Sequence, residues 1–583
     1  MDAQVRARRR LAVGLALGVA LAAFVGRGPI DARANAGEDA SPNQTRRVDG
    51  GEIEGALLPD GVTVFRGIPY AAPPVGDRRW QPPAPVEPWE GTRACTEFGS
   101  WCPQPKPMLG SERGTQDEDC LTLNVWSAAV DDKGDGKSAA KRPVMVWIHG
   151  GGFVNGSGAQ STYDGARFAA KGVVLVTVNY RLGPFGFFAH PLLSKESSRG
   201  VSGNYGFLDQ VAALRWVQRN AEAFGGDPAN VTIFGESAGA VSVGLHLISP
   251  LSKGLFHRAI MQSGSVFGDF RRLRESGDRL PSMESEGERL ARALSCDTQD
   301  DPIAALRAVP AERLLAVSKP AVGLFGKGLK LWPVIDGWAI PAAPSEILEE
   351  GGVHDVPVMV GSNADEATVF LKQLPIKRVG GYRALLRMIY RADAPAVQRL
   401  FPVTRDDQVR DALNDVVTIG VFTTSARRTA RAFAQSGASV WRYHFTRVPP
   451  ARRFRTLGAF HSAEIPYVFG KMDLRWGFDR VDRALSEAMQ SAWIAFAKTG
   501  DPNATAPPNA TLPNATGESG WPAYDAGTDA YLEFGESAKA RIALHTRPAT
   551  SSTRSPANES ERSPIGLRPR GVGAISPALP ADG

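Results

Sequence analysis

The chain has 583 residues, 43% of them hydrophobic and 22% charged, a composition that fits a packed globular protein and excludes general disorder. The formal net charge of +6 sits almost wholly at the ends: residues 1–50 hold eight Arg against five acids, and residues 547–583 five Arg against three. The near-neutral body lacks the basic stripe that nucleic acid requires, so no nucleic-acid partner is expected.

At the N-terminus, Arg6, Arg8, Arg9 and Arg10 precede an uncharged, mostly apolar run from Leu11 to Gly26, and Ala34-Asn35-Ala36 follows. Basic head, apolar run and small-x-small site predict a secretory signal peptide over residues 1–36, with the mature chain starting near Gly37. The run has 16 residues, short of the roughly 18 that a membrane span requires, so cleavage is favoured over a retained anchor. The destination read from this is secreted or periplasmic, with no stable membrane span after cleavage. The run of arginines hints at a twin-arginine route without settling it.

Export makes disulfides possible. The four cysteines, Cys95, Cys102, Cys120 and Cys296, include no C-x-x-C and no Cys/His spacing suited to zinc, so neither a metal nor a cofactor is expected. Sequons stand at Asn230 and at the repeated P-N-A-T of Asn503, Asn509 and Asn514.

The runs PVMVWI (143–148), VVLVTV (173–178) and VTIF (231–234) are short, continuous and rich in β-branched residues, as strands buried on both faces are. Residues 358–360 and 439–445 are weaker strand candidates. Leu208, Val211, Leu214, Val217 and Ala221 recur at helical spacing, and Gly225-Gly226 stops that helix. Alternating strands and helices predict one large α/β domain over residues 37–546, built on a mostly parallel mixed sheet. Residues 502–520 read as a surface loop and 547–583 as a disordered tail.

Gly235-Glu236-Ser237-Ala238-Gly239 is the one G-x-S-x-G of the chain. It follows the VTIF strand and opens a helical stretch, the strand–turn–helix context in which a serine Oγ is exposed on a sharp elbow. His149-Gly150-Gly151-Gly152-Phe153 follows the PVMVWI strand, and such a glycine run lets backbone N–H groups turn toward a developing oxyanion. No Lys-Ser/Thr follows it, as a phosphate-binding loop would need. Acyl transfer is the chemistry the two motifs support together. The base must come later in the chain, from His354, His444, His461 or His545; His246 and His257 lie too close to Ser237, and His246 reads as a packed core histidine. Of the four, His461 is the best placed. The acid is left open between Asp365 and Glu366.

FRGIPYAAPPVGDRRWQPP (65–83), EDCLTLNVW (118–126), NYRLGPFGF (179–187) and the block from Gly203 to Ala240 resemble the signatures of the type-B carboxylesterase and cholinesterase family of α/β-hydrolases, with a match over roughly 48–535. The resemblance implies Ser237 as nucleophile, Glu366 as acid and His461 as base. It implies oxyanion donors at Gly151, Gly152 and Ala238, with Ser263 and Glu236 in support. It also implies a Cys102–Cys120 disulfide and an ion pair between Arg79 and Glu118. Cys95 has no family counterpart, and Ala305 stands where the partner of Cys296 would be. The cholinesterase tryptophan has no equivalent between Pro103 and Asp119, a stretch without any aromatic residue, so no preference for choline esters is expected.

The function expected is that of an exported serine carboxylesterase acting on a small-molecule ester through an acyl-enzyme. The alternatives are a lipase and a non-catalytic, neuroligin-like adhesion protein on the same fold.

Overall fold

The computed structural model describes residues 44–544 apart from 108–111, 113, 129–140, 278–279 and 505–519. The expected signal peptide, the expected tail, Asn509, Asn514 and His545 lie outside the described residues. The strands are β1 (Gln44–Val48), β2 (Gly51–Leu57), β3 (Val62–Pro69), β4 (Thr92–Ala94), β5 (Thr122–Ala128), β6 (Arg142–Ile148) and β7 (Val174–Val178). They continue with β8 (Gly226–Glu236), β9 (Arg258–Gln262), β10 (Val358–Asn363), β11 (Val440–Phe445), β12 (Tyr531–Phe534) and β13 (Ala538–Arg541).

They form one sheet in the order β1-β2-β3-β5-β7-β6-β8-β9-β10-β11-β12-β13, with β4 beside β2. From β7 to β12 every pairing is parallel, and antiparallel strands close both ends. This is the mixed, mostly parallel α/β sheet read from the sequence. The continuous apolar runs become its centre. In β6, Val144, Val146 and Ile148 belong to one buried cluster, and Met145 and Trp147 to the cluster on the other face. Alternate side chains point to opposite faces, so a strand covered by helices on both sides needs apolar residues at every position.

Helix α1 (Tyr205–Asn220) packs Phe207, Val211, Leu214 and Val217 into the first cluster and ends, after a 3-10 turn, at Gly225 in the left-handed conformation. Helix α2 (Ala238–Ile248) is buried along its whole length. Helix α3 (Arg480–Thr499) covers the opposite face with Leu485, Met489, Trp493 and Phe496, capped by Asp479 at its start. Among the described residues, no helix is long and apolar enough to cross a membrane.

Two buried ion pairs join segments far apart in the chain. Arg181 meets Asp209 through Nε at 2.8 Å and Nη2 at 2.6 Å. Arg79 donates from Nε to Glu118 at 2.8 Å and from Nη1 to the Val309 carbonyl at 2.6 Å. The Arg79–Glu118 pair implied by the resemblance is therefore largely buried, so removing one partner would strand a charge away from water. Cys102 and Cys120 form a disulfide, while Cys95 and Cys296 are free, buried, and in different clusters.

Candidate active site

Strand β8 ends at Glu236 and helix α2 begins at Ala238, which leaves Ser237 alone in the turn, with φ 57° and ψ −122°. A non-glycine residue is costly there, on the order of 1–3 kcal/mol, and such conformations persist only where the surroundings hold them. The holding groups are visible. The Ser237 N–H donates to the Gln262 carbonyl of β9 at 2.9 Å, and its own carbonyl accepts from Val241 at 3.0 Å. Gly239 lets α2 sit against β6, since a Cβ there would lie 2.0 Å from the Ile148 carbonyl oxygen.

The glycine loop leaves the end of the neighbouring β6. Gly151 has φ +109°, and a Cβ on it would meet the Asn155 carbonyl oxygen at 2.0 Å. Its carbonyl accepts from Val154 and Asn155, closing a tight turn. Gly151, Gly152, Ala238 and Ser237 thereby line one cavity. The Ala238 N–H is at the first position of α2, where no intrahelical acceptor exists. His149 is buried, stacks on Tyr180, and burial pulls its imidazole down to about 4, so it is a neutral structural ring.

His461 enters from the loop after β11. Its Nδ1 lies 2.6 Å from Oε2 of Glu366 and its Nε2 lies 3.1 Å from Oε1 of Glu236. Phe370 and Phe422 flank the ring at 5.0 and 5.2 Å. Phe422 belongs to a π-helical turn, Thr418–Thr423. The neighbours Asp365 and Glu366 separate in the structure. Glu366 also accepts the Asn363 N–H at 2.7 Å. Asp365 is spent elsewhere, on the Ala459 N–H at 2.9 Å and the Asn414 amide at 3.0 Å, and so latches the loop that carries the histidine.

Sequence reasoning missed Glu464. It is fully buried, bonded by Asn363 at 2.6 Å and by Gln262 at 3.1 Å. Its spacing of three residues from His461 was the only signal available. With Glu236 and Glu366 it surrounds a single imidazole. Burial, followed by the nearby Glu366 charge, raises the Glu464 carboxyl. Burial also raises Glu236 to about 8, against the pull of His461. For His461, burial works against the charged form, but the two carboxylates at its ring nitrogens win and lift it to about 9.

The other expected residues are also located. Ser263 lines the cavity, and its buried Oγ has no protein partner among the described residues. His246 is a core histidine held by Ser252 at 2.7 Å, with burial lowering it to about 3. His354 bonds the Ser249 carbonyl, and His444 is buried within β11, so neither joins the cavity. The cavity measures about 380 Å³, and aromatic residues including Trp101, Phe270 and Trp332 form much of its wall. Among the described residues, no group of three or more His, Cys, Asp or Glu is arranged to hold a metal.

Residues 42–552 match the carboxylesterase family. The chain is 40% identical to fumonisin B1 esterase of Sphingopyxis macrogoltabida over 481 residues, covering 80% of this chain and 84% of that one. It is 37% identical to para-nitrobenzyl esterase of Bacillus subtilis (strain 168) over 495 residues, covering 81% and 91%. A solved structure of PNB esterase superposes with a TM-score of 0.71 at 33% identity, covering 86% of this chain and 97% of that one. The α/β-hydrolase fold, the serine elbow and these likenesses lead to one conclusion: the chain belongs to the carboxylesterase family and is a serine ester hydrolase.

Proposed function

We propose that this protein is an exported carboxylester hydrolase in which Ser237 is the nucleophile, His461 the general base and Glu366 the acid that orients it. The observation carrying this reading is the convergence on one cavity of a strained serine and an imidazole whose Nδ1 is held by a buried carboxylate. As His461 takes the hydroxyl proton at Nε2, a bond forms between Ser237 Oγ and the ester carbonyl carbon. The N–H groups of Gly151, Gly152 and Ala238 receive the oxyanion, each worth roughly 3–4 kcal/mol in comparable sites. Collapse breaks the bond to the alcohol, which leaves with the proton from His461. Water then attacks the acyl-enzyme by the same route, releasing the acid and restoring the serine.

Before the ring can serve Ser237, Nε2 must give up Glu236. Loss of the ring proton removes the ionic attraction between Nε2 and Glu236, and the neutral nitrogen can then accept the serine proton. The names of the two bacterial relatives support a small-molecule ester as substrate. Export is supported by the basic head, apolar run and Ala34-Asn35-Ala36 site, and by the disulfide between Cys102 and Cys120.

Ser237→Ala should abolish ester hydrolysis while the protein still folds, and a fluorophosphonate should label the wild type at Ser237 alone. Retention of more than about a thousandth of kcat in the variant would refute the nucleophile assignment. N-terminal sequencing of protein recovered outside the cytoplasm should begin near Gly37.

A further inference from the structure

Two cations reach the cavity that holds Ser237, Arg271 and Lys330. Their segments are tied together: Ile335 donates to the Arg271 carbonyl at 2.8 Å, and Leu273 donates to the Ile335 carbonyl at 3.0 Å. Arg271 is paired, its Nη1 3.1 Å from Glu286, but Glu286 is shared with Arg289 at the same distance. One carboxylate between two guanidinium groups leaves net positive charge behind the cavity wall. Lys330 is half-buried, and among the described residues its ammonium has neither a hydrogen-bond acceptor nor a carboxylate partner.

The carboxylates that also line the cavity have partners other than Lys330. Glu236 faces His461 and Ser462, and Glu112 accepts from Ser161. Asp269 has a partner of its own. A lysine drawn partly out of water, with a like charge as its neighbour, costs folding free energy that a solvated surface lysine would not. Burial, then Arg271, pulls the Lys330 ammonium down to about 8, so it is still mostly charged at neutral pH.

We propose that the cavity takes esters bearing a second, anionic group, a free carboxylate in the acid or the alcohol moiety, and that Lys330, backed by Arg271, selects them. This rests on the hydrolase reading above. It goes further by assigning a charge class to the substrate and a residue to its recognition.

The test compares mono-4-nitrophenyl glutarate with 4-nitrophenyl valerate, an anionic and a neutral acyl group of similar length. A second arm compares 4-carboxyphenyl butyrate with phenyl butyrate. Wild type, Lys330→Met, Lys330→Gln and Lys330→Arg are measured on each. The ratio of kcat/KM for the anionic ester to that for the neutral one should fall about tenfold or more in Lys330→Met and Lys330→Gln, as expected for loss of a charge-assisted contact, and return in Lys330→Arg. The arm in which it falls identifies the side of the scissile bond that carries the anion. Ratios unaffected by Lys330 in both arms, in variants that still hydrolyse the neutral esters, would overturn the assignment. A wild type inert toward all four esters would overturn the hydrolase reading and this one with it.

Discussion

Nε2 of His461 lies 3.1 Å from Glu236, the residue next to Ser237, while Nδ1 of the same ring lies 2.6 Å from Glu366. With a carboxylate at each nitrogen the ring holds its proton tightly, and the shift to about 9 reflects that. A raised imidazole stays protonated to higher pH, so the free base that catalysis needs accumulates only as pH rises through the raised value. The kcat/KM profile should therefore climb with a midpoint above 6.5, the ordinary value for histidine. Glu236→Gln removes one of the two charges and should move the midpoint down. A midpoint that Glu236→Gln leaves in place would show that this carboxylate does not govern the base.

Glu366→Gln should lower kcat on the order of a thousandfold or more, because an amide can fix the imidazole in the wrong tautomer. Asp365→Asn should cost far less, within about tenfold in kcat, with a stability loss of about 1 kcal/mol from its disturbed bonds to Ala459 and Asn414. Parallel kinetics and denaturant melts separate the two. The reverse order of effects would transfer the orienting role to Asp365.

These neighbours illustrate what was legible in the chain. Strands such as PVMVWI carry their burial in an unbroken apolar run, and the serine elbow carries its geometry in its glycines. The α/β class and the position of Ser237 were readable for those reasons. Which of Asp365 and Glu366 would face His461 was not, because adjacent acids after a strand carry no period that says which way each points; the expectation of Glu366 came from the family resemblance alone. Lys330 and Arg271 were invisible for a related reason. They meet the site from separate loops, and loops bring residues together through the fold rather than through spacing.

Peptide mapping without reduction should recover Cys102 joined to Cys120, with Cys95 and Cys296 as thiols. Both free thiols are buried, and burial raises Cys95 to about 11, which suppresses the reactive thiolate. Alkylation of the folded protein should be slow at both and become fast in denaturant. A Cys95–Cys102 peptide would contradict this pairing.

Butyrylcholine should be hydrolysed no better than its uncharged analogue, 3,3-dimethylbutyl butyrate. Residues between Pro103 and Asp119 supply no aromatic ring, although Trp101 and Trp332 bring aromatic faces to the cavity from elsewhere. Those faces could attract a quaternary ammonium by about 0.5–2 kcal/mol, while Lys330 and Arg271 in the same cavity offset the pull of Glu112 and Asp269 on its charge. A choline preference beyond about tenfold in kcat/KM at moderate salt would mean that the rings outweigh the cations.

The backbone of Ser237, at φ 57° and ψ −122°, sets the serine's reactivity against the protein's durability. Glycine occupies that conformation without the clash that any side chain incurs, and the cost to serine is on the order of 1–3 kcal/mol. Ser237→Gly should therefore be dead toward esters yet melt at a higher temperature than the wild type, although glycine's freer unfolded chain takes back part of the gain. Selection for heat resistance alone would erode the serine elbow first, so the serine survives only under continued demand for its chemistry.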